Sequence, residues 1–286
     1  MPSSAEEIVE LLDLETIDVN LFRGIQPDTM LQRVFGGQVA AQALVAGART
    51  VEEPRSVHSL HSYFLRPGDP AVPIVYDVER IRDGRSFSTR RVVARQHGRP
   101  IYYMTLSSQV PEGGYDHQDR MPDVPAPDET PELGALLRKA RGERASAWLE
   151  EWASLELRWI GDTRQGGLPA SDDHPAQVRL WIRTNGKLGD DPLVHQAAFT
   201  YLSDLTLLGS ALVPHEVDLG SKHVQSASLD HTIWFHRPFR ADEWLLYDQT
   251  SPSASGARGL GIGRVFREDG TLVATVAQEG LIRKLD

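Results

Sequence analysis

Along most of the chain apolar and polar residues alternate in short stretches, and twice that alternation gives way to a longer apolar run at helical spacing. In "AQVRLWIRTN", Val178, Leu180 and Ile182 recur at period two, as on a half-buried strand. The two long runs are "GGQVAAQALVAGA" (36–48) and "LVHQAAFTYLSDLTLLGSAL" (193–212). Each is apolar on nearly every side, which predicts a buried helix. Several β-rich stretches of roughly 8–12 residues follow each run, separated by Gly, Pro and Asp turns. One helix followed by antiparallel strands is an α+β pattern, not the βαβ alternation of a doubly wound sheet. A sheet curled around one buried helix satisfies it, once in each half. At the start, Ser4-x-x-Glu7 reads as a capping box opening a short helix with Ile8, Leu11 and Leu12 inward.

The halves also share phrases. Tyr63-Phe64-x-Arg66-Pro67 returns as Trp234-Phe235-x-Arg237-Pro238, 171 residues later. "GRSFSTRR" (84–91) is echoed by "SASGARG" (253–259), aligning Arg90 with Arg258. "HGRPIYYMTLSS" (97–108) is echoed by "DGTLVATVAQEG" (269–280), with Gly98 and Gly270 172 apart. Three echoes in one order at nearly one offset point to a duplicated unit. Between the copies, residues 111–131 carry five prolines and many acidic residues and read as an extended linker. "ELGALLRKARGERASAWLEEW" follows with helical content and a charged face. The expected organisation is an N-terminal unit over 1–110, a Pro-rich linker and helix over 111–150, and a C-terminal unit over 151–286.

Composition narrows the functions. A net charge of −10 argues against a nucleic-acid surface, which needs clustered Lys and Arg, although a few local arginines suffice for a small anionic ligand. Cysteine is absent, which excludes disulfides, thiolate metal sites and cysteine nucleophiles together. The N-terminus is acidic where a signal peptide would be apolar. No uncharged apolar run reaches the ~18–20 residues that span a bilayer. A cytoplasmic protein without stable membrane insertion is therefore expected. The terminal "KLD" is not the peroxisomal Ser-Lys-Leu.

"FGGQVAAQAL", "LRPGDP", "RDGRSFSTRRV", "YLSDLTLL", "SLDHTIWFHRPF", "ASGARG" and "VAQEG" together resemble the type II acyl-CoA thioesterases. This family of double-hotdog enzymes includes bacterial thioesterase II and its peroxisomal counterparts. The resemblance covers almost the whole chain outside the linker, in family order. It implies two hotdog units, each an antiparallel sheet wrapped around a central helix, packed as an internal pseudo-dimer. It also implies hydrolysis of medium- to long-chain fatty acyl-CoA to free fatty acid and CoA, with no cofactor and no metal. Because hotdog units pair through their sheets, a homodimer or higher homo-oligomer is expected. The family's site is an Asp on the second hotdog helix, a Ser or Thr just before the "DH" phrase, and a Gln on a late strand. The matching positions are Asp204, Ser228 and Gln278. The offset sets Leu106 where the first half would hold a counterpart of Gln278, and the first helical run has no acidic residue.

The chemistry suits those residue types. A thioester needs an attacking water and a place for the developing oxyanion. An Asp is ionised near neutrality and accepts a proton, more effectively if burial raises its pKa. Ser228 and Gln278 can each hydrogen-bond the same water. Backbone N–H groups at a helix start, near Gly36-Gly37 or His195, are natural oxyanion donors. Each residue also has a plain structural reading: Asp204 on a solvent-facing stripe, Ser228 as a turn residue, Gln278 on a strand surface. His58 is a candidate for the acyl pocket. Arg85, Arg90, Arg91 and Arg258 are candidate anchors for the CoA phosphates, against the alternative of a solvated strand face.

Other patterns carry less. His58/His61 and His231/His236 are spaced three and five apart, which on a strand points each pair to opposite faces. No G-x-S-x-G elbow occurs, and "GLGIG" (259–263) lacks dinucleotide-fingerprint spacing, so close strand packing explains its glycines. Two competing functions remain. A hotdog enoyl-CoA hydratase would need an Asp–His pair near the helix start, and a non-catalytic acyl-CoA-binding module would retain acyl-CoA without releasing CoA.

Overall fold

The computed structural model describes residues 1–164, 168 and 176–285. The predicted first helix is α1 (Ala5–Leu12), with Ile8, Leu11 and Leu12 buried. Ser4 caps it, its hydroxyl accepting from the Glu7 N–H, while the Glu7 carboxylate reaches back to Ser3. The buried helix of the first half is α2 (Gly36–Ala48). Between residues 111 and 154 lie α3 (Leu133–Arg141) and α4 (Ser146–Glu151). The long apolar run of the second half is not one helix. It forms α5 (Pro192–Ser203), breaks at Asp204–Thr206, and resumes as a 3₁₀ segment, Leu207–His215. By length and composition Pro192–His215 would reach across a bilayer, but 72% of its apolar window is buried inside the fold.

Among the described residues, thirteen strands form one continuous sheet. The first half contributes β1 (Glu15–Asp18), β2 (Leu21–Gly24), β3 (Ser56–Phe64), β4 (Ile74–Asp83), β5 (Phe87–Gln96) and β6 (Arg99–Gln109). The second contributes β7 (Leu155–Asp162), β8 (Gln177–Thr184), β9 (Val224–Ser228), β10 (Asp230–Phe235), β11 (Leu245–Ser255), β12 (Arg258–Arg267) and β13 (Leu272–Lys284). The order is β1-β2-β4-β5-β6-β3-β10-β13-β12-β11-β8-β7, with β9 on the end of β13. The halves mirror each other about the β3–β10 pair, whose strands carry the repeated aromatic phrases. An offset of 171 equates His61 with Thr232, and these two face each other in the antiparallel register. An internal twofold axis therefore passes through them. Gly98 and Gly270 close equivalent hairpins at φ +71° and +85°, where a side chain would be strained.

The register corrects one echo. Arg90 lies opposite Leu106, and Gly261 lies opposite Gln278, so the twofold equates Arg90 with Gly261 and not with Arg258.

Inside the curl, α2 and α5 pack on each other and on the sheet. Their approach relies on Gly37, where a Cβ would sit 2.4 Å from the Tyr201 carbonyl oxygen. The 3₁₀ segment lies equally close on β12 and β13. A Cβ at Gly261 would stand 2.8 Å from the Leu207 carbonyl oxygen, and one at Gly280 would stand 2.4 Å from Leu208. Close packing, not nucleotide binding, therefore explains the glycines of "GLGIG".

Candidate active site

Sheet pairing brings together three residues that are far apart in sequence. Asp204 caps the C-terminus of α5, Ser228 ends β9, and Gln278 sits in β13 two residues before Gly280, the partner of Ser228. The Ser228 hydroxyl donates to Asp204 Oδ1 at 3.1 Å. Gln278 Nε2 donates to Ser228 Oγ at 2.8 Å and also to Asp204 Oδ1. Gln278 is fully buried, whereas Asp204 and Ser228 keep partial exposure. With Nε2 committed to the carboxylate, Gln278 Oε1 must be the acceptor end, and it is buried with no partner among the described residues.

The other hotdog unit completes the surroundings of Asp204. The start of α2 lies against the carboxylate, and the Gly37 N–H there favours its charged form. A Cβ at Gly36 would lie 2.6 Å from Asp204 Oδ2, so only glycine admits this approach. The two helix ends act oppositely. The C-terminus of α5 disfavours negative charge on Asp204, and the N-terminus of α2 favours it. Burial dominates and pushes the Asp204 carboxyl up to about 6, against the hydrogen bonds from Gln278 and Ser228 and the nearby Gly37 N–H.

The Asp230-His231 phrase braces this arrangement from both sides. Asp230 Oδ1 accepts the Glu279 N–H at 2.6 Å, fixing the backbone beside Gln278. His231 Nε2 lies 2.8 Å from Ser203 Oγ, whose own proton goes to the Thr200 carbonyl. His231 therefore donates to Ser203, next to Asp204, and burial pushes its pKa down to about 3, which keeps it neutral. The Tyr247 hydroxyl donates to the Ser203 carbonyl at 3.1 Å. Sequence reasoning missed these supports, although "DH" was the visible signal for two of them.

The remaining predicted residues do not gather at the trio. His58 lies at the opposite end of the central strand pair, bonded to Ser107 Oγ at 2.9 Å and edge-on to Phe87. Arg90 is fully buried. Its guanidinium bonds the Thr50 hydroxyl and carbonyl, the Arg82 and Thr89 carbonyls, and Asp83. All its donors serve the fold, so it is not a phosphate anchor. Arg91 is exposed on a strand face and pairs with Glu79. Arg85 lies in the β4–β5 turn, beyond the strand ends that pair at Phe87 and Gln109, so it stands at the His58 end of the sheet. Only Arg258 stands at the trio's end, opposite Leu281, one residue from the Ser228–Gly280 pair.

The structure is thus a double hotdog in which a carboxylate, a hydroxyl and a primary amide converge. Residues 25–109 match the model of the acyl-CoA thioesterase N-terminal domain, and residues 169–281 match that of acyl-CoA thioesterase. Acyl-CoA thioesterase 2 of Haemophilus influenzae is 42% identical over 288 residues, covering 99% of each chain. Human acyl-coenzyme A thioesterase 8 is 41% identical, over 96% of this chain and 88% of that one. The crystal structure of the acyl-CoA thioesterase II TesB2 from Mycobacterium marinum superposes with a TM-score of 0.83 at 45% identity, covering 98% of each chain. The chain belongs to the acyl-CoA thioesterase II family.

Proposed function

We propose that the protein hydrolyses medium- to long-chain fatty acyl-CoA, using a water held and activated by Asp204, Ser228 and Gln278. The observation that carries this reading is the polar trio itself, with a buried Gln278 Oε1 left as an open acceptor beside a carboxylate of raised pKa. A water there would donate one hydrogen to Gln278 Oε1 and the other to Asp204. Asp204 takes that proton as the water oxygen attacks the thioester carbonyl carbon. The carbonyl oxygen becomes an oxyanion near the N–H groups that open α2. Collapse of the intermediate breaks the C–S bond, and the CoA thiolate takes the proton back from Asp204. The products are the fatty acid and CoA, with the carboxylate restored.

No histidine among the described residues hydrogen-bonds Asp204, which removes the support a hydratase reading would need. The likenesses to dehydratases, at 14% and 9% identity, concern the fold alone. The protein works as a homodimer or higher homo-oligomer in this reading. Tyr63 and Trp234, 51% and 37% exposed on the outer face of the central strands, offer an apolar band for that association. The expected compartment remains the cytoplasm. The test is CoA release across a series from butyryl- to stearoyl-CoA. Turnover peaking at medium or long chains supports the reading, whereas stoichiometric retention of acyl-CoA without CoA release favours a binding module.

A further inference from the structure

The break after α5 lies across three strands of the second unit, and each strand meets it differently. On β13, Gln278 Nε2 donates to Asp204 Oδ1. On β12, the bare backbone at Gly261 admits the Leu207 carbonyl oxygen, which a Cβ there would meet at 2.8 Å. On β11, Gln249 Nε2 donates to Thr206 Oγ1 at 2.6 Å. Gln249 is fully buried, and its Oε1 has no hydrogen-bond partner among the described residues. Tyr247, two residues earlier on the same face of β11, donates to the Ser203 carbonyl. One strand therefore holds the chain on both sides of Asp204, at Ser203 and at Thr206.

The core of a hotdog unit does not call for this glutamine. The twofold equates Gly261 with Arg90, hence Gly263 with Val92, and so their strand partners Gln249 and Val78 are equivalent. Val78 is apolar and 3% exposed. By the same register Tyr247 corresponds to Tyr76, also fully buried, so the tyrosine is shared and the glutamine is not. The first unit has no break to hold: α2 ends at Ala48, and the chain reaches β3 at Ser56 without a further helical segment. A buried amide with an open acceptor disfavours folding beside a valine. Its presence in the unit that carries the carboxylate points to a task there.

We propose that Gln249 is a positioning residue for hydrolysis: acting through Thr206, it holds the helix break in the geometry that sets the Asp204 carboxylate against Ser228, Gln278 and the start of α2. The inference rests on the thioesterase reading of the trio and adds a residue that acts without touching the reacting atoms. Asp204 sits where the backbone leaves the helix, so its direction depends on the residues on either side. The Leu205 N–H still closes onto the Leu202 carbonyl at 3.2 Å, whereas Thr206 has left the helix at φ −122°. The Gln249 bond fixes where that departure points. A misplacement of about 1 Å at a reacting group costs ~10²-fold in rate, so a tether two residues away has leverage on kcat.

The test measures kcat and KM for palmitoyl-CoA, and the urea midpoint, on wild type, Gln249→Val, Thr206→Val, the double variant and Thr206→Ser. Gln249→Val installs the residue of the first unit. The expected result is a kcat lowered about tenfold in each valine variant, with KM within about twofold of wild type. The urea midpoint of Gln249→Val should equal or exceed that of wild type, since an open buried acceptor is removed along with the bond. The double variant should lose no more than either single one, because both remove the same bond. Thr206→Ser keeps the hydroxyl and should keep kcat within about twofold of wild type. An unchanged kcat in Gln249→Val would overturn the proposal. Additive losses in the double variant would overturn it too, because the two side chains would then act separately. A loss of kcat matched by a lower urea midpoint or a raised KM would leave Gln249 as core packing and likewise overturn it. Should Gln249→Val not fold, Thr206→Val against Thr206→Ser decides the same question. A wild type that releases no CoA would instead sink the thioesterase reading, so the two failures are separable.

Discussion

The two hotdog units share strand order and a buried helix, and they differ in what fills one equivalent place. In the second unit that place holds Asp204, Ser228 and Gln278, with Gly261 opposite Gln278. In the first unit the same strand positions hold Val57, Leu106 and Arg90. Val57 and Leu106 are buried apolar side chains, and the Arg90 guanidinium spends every donor on the chain leaving α2 and on the β4–β5 hairpin. One of the two equivalent places is thus filled by packing, and the other holds an open acceptor and a carboxylate costly to ionise. Neither copy is complete alone, because the N–H group that meets Asp204 comes from Gly37 of the first unit. Division of labour across an internal twofold explains why the chain keeps both units.

The largest expected effect comes from removing the asymmetry at its centre. Asp204→Asn keeps the shape but cannot take a proton, and kcat for acyl-CoA should fall by ~10²–10⁴. Making the second unit resemble the first is next. Gln278→Leu, which installs the residue found at Leu106, should lower kcat about 10²-fold. Combined with Asp204→Asn it should cost little more, because residues acting as a unit are not additive. A nearly additive loss would mean that the two act separately.

The reverse contrast concerns stability. Arg90→Leu should destabilise the fold by about 2–4 kcal/mol, by stranding the Thr50 and Arg82 carbonyls, while KM for acyl-CoA stays at the wild-type value. Urea unfolding and steady-state kinetics on the same sample check both statements. A raised KM at unchanged stability would restore Arg90 as a phosphate anchor. The smallest effect is the pH dependence of folding. The Asp204 carboxyl is raised in the folded state, so its favourable contribution is full below the ordinary value of 3.8 and is lost as pH rises through about 6. Asp204→Asn should therefore be more stable than wild type above pH 6, by roughly 1–3 kcal/mol, and should converge with it below about pH 4.

Much of this is legible in the amino-acid sequence. Period-two strands, two buried helical runs and the repeated aromatic-x-Arg-Pro phrase led to a doubled α+β unit, and that phrase proved to mark the strands that join the halves. The trio was legible through the family resemblance, since Ser228 and Gln278 look like ordinary strand polar residues by themselves. What stayed hidden depended on contacts across the twofold. Nothing in the spacing links Gly36 and Gly37 to Asp204, because helix–helix packing alone sets that approach. The break after Ser203 was masked by apolar residues continuing on both sides of it. Arg90 read as a surface cation because burial of an arginine is decided by its five partner atoms, which come from β4, β5 and the end of α2.

The most direct test is CoA release from palmitoyl-CoA, followed with a thiol-reactive disulfide from about pH 5 to 9 for wild type and Asp204→Asn. The absence of cysteine leaves no protein background. A carboxylate base raised to about 6 predicts a wild-type rate that falls about tenfold per pH unit below that value, and a variant that is far slower and lacks this limb. A variant that keeps both the wild-type rate and the same acidic limb would contradict the account and place the base elsewhere.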